Sequence, residues 1–178
     1  MASSYAAQGV LTLDDIADYR IDVHLSILAF FRDASAELLA RYAGFSREEL
    51  RALESARLEE TDAQCALTVL AAVEAAFRID YQIRCESKLK DPLSRRFRDL
   101  YRKYQMRVSL EDDIFEIWKD ENRKIKSLIG TLKGAFNYRH WLAHGRYWVP
   151  KLGKDYDFQT VFILADAIFT SLDLKSRD

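Results

Sequence analysis

The chain has 178 residues, 49% hydrophobic and 31% charged, with a formal net charge of −1. That length fits one domain, and that apolar share can fill a sizeable core, so disorder is not the default reading; near-neutrality excludes bulk polyelectrolyte behaviour. Six glycines and two prolines are too few for the frequent turns of an all-β fold. An all-α bundle of about five or six helices is therefore expected, one domain over 1–178 with a loose terminus over 1–11.

The charge is unevenly spread. Asp14 to Asp62 holds 12 acidic and 6 basic residues, whereas Arg84 to Arg107 holds 9 basic and 3 acidic. The first stretch reads as an acidic solvated surface and the second as one that can face phosphates. The opening MASSYAAQGV lacks the basic and apolar regions of a signal peptide, and no apolar run approaches the ~18 residues of a membrane span. Cys65 and Cys85 have no metal-ligand spacing, and on one straight helix they stand ~30 Å apart, too far for a disulfide. A reduced, cytoplasmic protein is the expectation.

In chain order, Thr12 and Asp15 form a capping box that opens a helix. Its apolar face is Ile16, Tyr19, Val23, Ile27, Phe30 and Phe31, continued by Leu38 and Leu39, and Gly44 stops it. Ser46 and Glu49 form a second box before a short helix to about Ala56. Thr61 and Gln64 form a third, before a breaker-free helix over Asp62 to Cys85. The alanines Ala66, Ala71, Ala72, Ala75 and Ala76 there suit close helix packing, so this helix is expected at the centre. Asp91-Pro92 sets an N-cap and an N1 proline together. The helix that follows carries Arg95, Arg96, Arg98, Arg102 and Lys103 among Phe97, Tyr101 and Tyr104. It suits RNA binding through phosphates and stacking, and equally a solvated helical face. Ser109 and Asp112 open a segment through Trp118 that runs on into a helix around Ile125, Leu128, Ile129, Leu132 and Phe136, ended by Gly145 and Pro150. After a loop over Lys151 to Tyr156, Asp157 caps a last helix with Val161, Leu164, Ala165, Ile168 and Leu172 on one face.

The chemistry concentrates in Phe136 to Trp148, FNYRHWLAHGRYW, which holds two of the three histidines and two of the three tryptophans. Arg139 continues the apolar stripe of Leu128, Leu132 and Phe136, where a charge must be paired or border a cleft. On a straight helix Arg139 and His144 lie ~140° apart at ~100° per residue. They cannot share one exposed face, but both can line a groove that the helix crosses, above all one made with a second copy. A histidine serves as general base or acid near neutral pH. An arginine offers a donor fork that matches phosphate oxygens. Together they suit RNA cleavage by the adjacent 2′-hydroxyl, with the arginine stabilising the phosphorane; this route needs no metal or other cofactor. The plainer reading of His144 is a cation at a helix C-terminus, and of the aromatics, packing. His140 and His144 at i, i+4 also suit a two-histidine metal site, though no third ligand is evident. Glu74 has two readings: an intrahelical pair with Arg78, or a contact to Arg139. His24, on an apolar-patterned helix, reads as structural.

Arg139-His140-x-x-x-His144 resembles the R-x4–6-H motif of HEPN domains (higher eukaryotes and prokaryotes nucleotide-binding). His140 fills the place after the arginine where that pattern favours Asn, Asp or His. RHWLAHGRYW is most similar to HEPN proteins of bacterial toxin and phage-defence type, the RiboL-PSP-HEPN kind. The motif covers about ten residues, and the likeness in architecture covers most of the chain. The resemblance implies a homodimeric helical bundle whose two motifs meet in an interface cleft. It also implies metal-independent endoribonuclease activity, leaving 2′,3′-cyclic phosphate and 5′-hydroxyl ends. Carried over, Arg139 and His144 match the catalytic pair and His140 the supporting polar position. Glu74, Arg78 and Tyr147 are candidate supporting residues. Arg95, Arg96, Arg98, Arg102, Lys103 and Arg146 are candidate RNA contacts. An antitoxin or regulatory protein is an implied partner. One departure stands out: HEPN toxins silenced by tyrosine adenylylation carry the tyrosine two residues after the histidine, where this chain has Arg146, followed by Tyr147. A silent HEPN module that binds nucleotide or RNA, and a helical interaction protein, remain the alternatives.

Overall fold

The computed structural model describes residues 11–32, 35–121 and 125–176. The reading of 1–11 as a loose terminus falls, save for Leu11, outside them. Among the described residues the fold is all-α: α1 (Leu13–Arg32), α2 (Ala36–Arg41), α3 (Arg47–Glu86), α4 (Pro92–Tyr104), a π turn (Leu110–Ile114), α5 (Phe115–Glu121), α6 (Lys126–Ala143) and α7 (Phe158–Ser171).

The organising element is α3, 40 residues long and so ~60 Å from end to end. The capping box of Ser46 and Glu49 starts it, each side chain reaching the other's backbone N–H. The expected break at Thr61 and Gln64 does not occur. Thr61 Oγ1 donates to the Arg57 carbonyl at 2.9 Å and Gln64 Nε2 to Glu60 Oε1 at 3.2 Å. Both bonds run one turn back along a continuing helix, and no glycine or proline interrupts Arg47–Glu86. The opposite correction holds earlier: the stretch expected as one helix up to Gly44 is two, with Ser35 capping α2 through the Leu38 N–H. Tyr19, expected on the buried face of α1, is 63% exposed.

α1, α4, α6, α7 and the π turn all pack on α3. The core side chains of α3 are Cys65, Ala66, Val69, Leu70, Val73, Phe77 and Tyr81. They recur at helical spacing, which is why so many partners surround its C-terminal half. Ala66 is the alanine the packing uses fully; Ala71 is exposed, and Ala72, Ala75 and Ala76 sit at the margin. The expected packing of α6 on α3 is present, through Ile129, Leu132, Ala135 and Phe136.

A buried ion pair closes the far end of α3. Arg84 Nε sits 2.6 Å from Asp80 Oδ1, Arg84 Nη2 donates to the Asp173 carbonyl at 2.6 Å, and the Lys175 N–H donates to Asp80 at 2.9 Å. The segment after α7 is thereby tied to the core. Arg20 grips Asp62 with two bonds of 2.6 and 3.1 Å, and His24 Nε2 lies 2.7 Å from the same carboxylate. His24 is thus part of the α1–α3 clasp, as its structural reading requires. No helix among the described residues is long and apolar enough to cross a membrane. Cys65 and Cys85 are both free on α3, their thiols made less acidic by burial.

Candidate functional site

α6 carries the site, and the register of the helix sorts its residues onto two sides. Phe136 packs edge-on against Phe115 at 5.6 Å, which fixes how α6 rolls on the core. Arg139, one turn on, is then aimed at α3. Its guanidinium lies 5.8 Å over the Phe136 ring, and Nη2 is 2.8 Å from Glu74 Oε2. The other oxygen of Glu74 accepts from Arg78 Nε at 2.8 Å. Both readings of Glu74 are therefore realised: one carboxylate bridges two arginines. Arg139 Nε is buried without a hydrogen-bond partner.

These groups line an open cleft of ≈ 420 Å³ together with Ser109, Glu111, Asp112 and Phe136. Its floor is the π turn. Ser109 Oγ accepts from the Asp112 N–H at 3.1 Å, as its capping role requires, and the Ser109 N–H donates to Asp113. The Ser109 carbonyl takes the Ile114 N–H, five residues on, at 3.1 Å, so one extra residue enters the turn. Glu111 is half-buried there. Burial raises its carboxyl above the usual range, against the pull of Lys133, His140 and Arg139. Glu111 and Lys133 were not singled out in the sequence. The acids after Ser109 read as ordinary first-turn acids of a helix, and only the packing of the π turn on α6 shows their relation to the motif. Lys133 itself sits 2.6 Å from Glu116.

His140 and His144 occupy the solvent side of α6. Their ring centroids are 4.1 Å apart, and His140 is 5.9 Å from Trp148. His144 is the C-cap residue, and the reversal beyond it uses positive φ at Gly145 and Arg146. Trp141 Nε1 donates to the Trp148 carbonyl at 2.7 Å, folding the following segment back over the helix end. Tyr147 is 83% exposed and meets Trp148 edge-on at 4.6 Å, one ring away from His140. Arg139 and His144 thus lie on different sides of α6 within one chain, as the ~140° separation requires.

The candidate RNA contacts divide. Arg146 is engaged by Glu60 through bonds of 2.6 and 3.1 Å, and its fork holds the Glu60 carboxyl below the usual range; it ties the α6 end to α3. Arg96 is paired with Asp120 and Glu121, Arg102 with Asp99, and Arg98 donates to the Arg84 carbonyl. Arg95 and Lys103 are exposed and have no ion-pair partner among the described residues. No group of three or more His, Cys, Asp or Glu among the described residues is arranged to hold a metal ion. No family model matches the chain, and no curated protein or solved structure matches it significantly.

Proposed function

We propose that the protein is a metal-independent endoribonuclease of the HEPN kind, acting as a toxin or phage-defence effector. The supporting observation is the treatment of Arg139. A motif arginine on an apolar stripe is held at the rim of a cleft by a carboxylate of the central helix, while two imidazoles lie together at the end of its own helix. In this reading His144 accepts the 2′-hydroxyl proton, the freed oxygen attacks the adjacent phosphorus, and Arg139 meets the charge on the phosphorane. The P–O5′ bond then breaks, the departing 5′-oxygen takes a proton from the imidazolium or from water, and 2′,3′-cyclic phosphate and 5′-hydroxyl ends remain. His140 positions His144. Glu74 and Arg78 hold the guanidinium in orientation until phosphate competes for it. Because one chain keeps Arg139 and His144 on different sides of α6, the working site belongs to a homodimer whose isologous contact brings the two motifs to one cleft. An antitoxin or regulatory protein would restrain the activity.

A second reading has its own support. The cleft carries Glu74, Glu111 and Asp112 beside Arg78 and Arg139, an acid-rich lining more suited to holding a base or ribose than to cleaving a phosphodiester. That favours a silent RNA- or nucleotide-binding module. Incubation of purified protein with total RNA in EDTA separates the two. The nuclease reading expects cleavage that falls ~10²–10⁴-fold in His144→Ala, by a comparable factor in Arg139→Ala, and recovers only in part in Arg139→Lys. Intact RNA that nevertheless binds, with binding lost on Arg139→Ala, identifies the silent module.

A further inference from the structure

Between α4 and the π turn the chain makes a tight knuckle over residues 104–109. Gln105 takes φ +52 and ψ −124, a conformation side chains rarely adopt. It is pinned there: its N–H donates to the Tyr101 carbonyl at 2.8 Å, and its carbonyl accepts from the hydroxyl of buried Tyr81 at 2.9 Å. The Arg107 N–H closes the turn on the Tyr104 carbonyl at 2.9 Å. The rigid turn displays what a core normally hides. Tyr101, Tyr104 and Met106 are 40%, 50% and 48% exposed, and Lys103 and Arg107 stand beside them with no ion-pair partner among the described residues. Lys103, Tyr104, Gln105 and Arg107 line one surface depression. Arg107 precedes Ser109, which lines the Arg139 cleft, by two residues, ~7 Å of chain at most.

Free cations interleaved with exposed rings complement a strand that offers phosphates and unstacked bases together. A duplex hides its bases and offers the rings nothing. We propose that the knuckle of Tyr101, Lys103, Tyr104, Met106 and Arg107 is a platform that stacks and holds unpaired nucleotides of an RNA strand entering the Arg139 cleft. The proposal rests on the reading of RNA as substrate, and it makes single-stranded RNA the form recognised. Of the basic helix it uses the last turn alone: Arg96, Arg98 and Arg102 are already engaged, and Arg95, though exposed, lies ~12 Å back along α4 from Lys103.

The test is fluorescence anisotropy with the full-length protein and a labelled 2′-O-methyl RNA 12-mer, which cannot be cut by its own 2′-oxygen, as single strand and as duplex over a salt series. The single strand should bind more tightly than the duplex. Tyr104→Ala should weaken single-strand binding about five- to a hundredfold, while Tyr104→Trp retains it. Lys103→Glu with Arg107→Glu should flatten the slope of log K against log salt by at least ~1.4. Tyr19→Ala, at a tyrosine still more exposed than Tyr104 and in the acidic stretch, should bind as the unaltered protein does, and thermal melts confirm that each variant folds. Unchanged binding in Tyr104→Ala, equal affinity for duplex, or effects confined to anionic vesicles or a protein partner would overturn the platform. Cleavage of ordinary RNA is scored separately. A protein that binds in this pattern without cutting retains the platform and loses the nuclease. One that cuts, with Tyr104→Ala and the charge reversals cutting equally well at subsaturating RNA, loses the platform and retains the nuclease.

Discussion

Arg139 is held where stability alone would not place it. Its Nε is buried and unpartnered, a loss of about 1–3 kcal/mol relative to a satisfied donor, and Glu74 already has Arg78. Arg139→Met should therefore leave the melting temperature unchanged or raised, while abolishing RNA cleavage; a large drop in Tm would make Arg139 a structural residue. Glu111 carries a second prediction. Its raised folded pKa means that the folded protein holds this proton more tightly than the unfolded chain. The stability it contributes is full below the unfolded pKa and is lost as pH rises through the folded value. Glu111→Gln should accordingly raise Tm at pH 7, with the gain shrinking towards pH 4; a constant or inverted difference would show that the carboxylate is stabilised in place. Of these two acids, Glu74 was legible in the sequence because a charge among alanines demands a partner. Glu111 was not, because a capped turn already accounted for it.

At the scale of elements, local chemistry was legible wherever a side chain closes on its own backbone. Ser46, Asp91, Ser109 and Asp157 all cap helices as their spacing indicates. The same pattern misled at Thr61, since a threonine inside a helix makes the bond one turn back instead. Long-range ties such as Arg84 to Asp173 or Arg146 to Glu60 leave no spacing to read. Two glycines of α6 show how context decides the sign of one substitution. A Cβ at Gly130 meets nothing within 4 Å, so Gly130→Ala should stabilise by up to ~1 kcal/mol through helix propensity. A Cβ at Gly134 collides with the Tyr156 hydroxyl, which donates to the Thr131 carbonyl at 3.2 Å while its ring stacks on Tyr138. Gly134→Ala should cost ~1–3 kcal/mol. Denaturant melts check both, and Tyr156→Phe in the Gly134→Ala background should recover part of the loss; equal effects at the two glycines would contradict this packing.

For the whole molecule, the all-α architecture and the seat of α6 on α3 followed from apolar periodicity and the scarcity of breakers. The placing of Arg139 and His144 on different sides of α6 followed from helix geometry. The sequence did not show the cleft, because the π turn and α3 that form it with α6 meet only through tertiary packing. The central claim, 2′-hydroxyl attack assisted by Arg139 and His144 without a metal, is tested most directly on one defined single-stranded RNA in EDTA. Its cleavage site is mapped first, and the same oligonucleotide is then made with a single 2′-deoxy nucleotide at that site. The account predicts cutting of the all-ribo strand to 2′,3′-cyclic phosphate and 5′-hydroxyl ends, and no cutting at the deoxy position. Cleavage across the deoxy nucleotide, 5′-phosphate ends, or activity that returns only when zinc or magnesium is added back would contradict it.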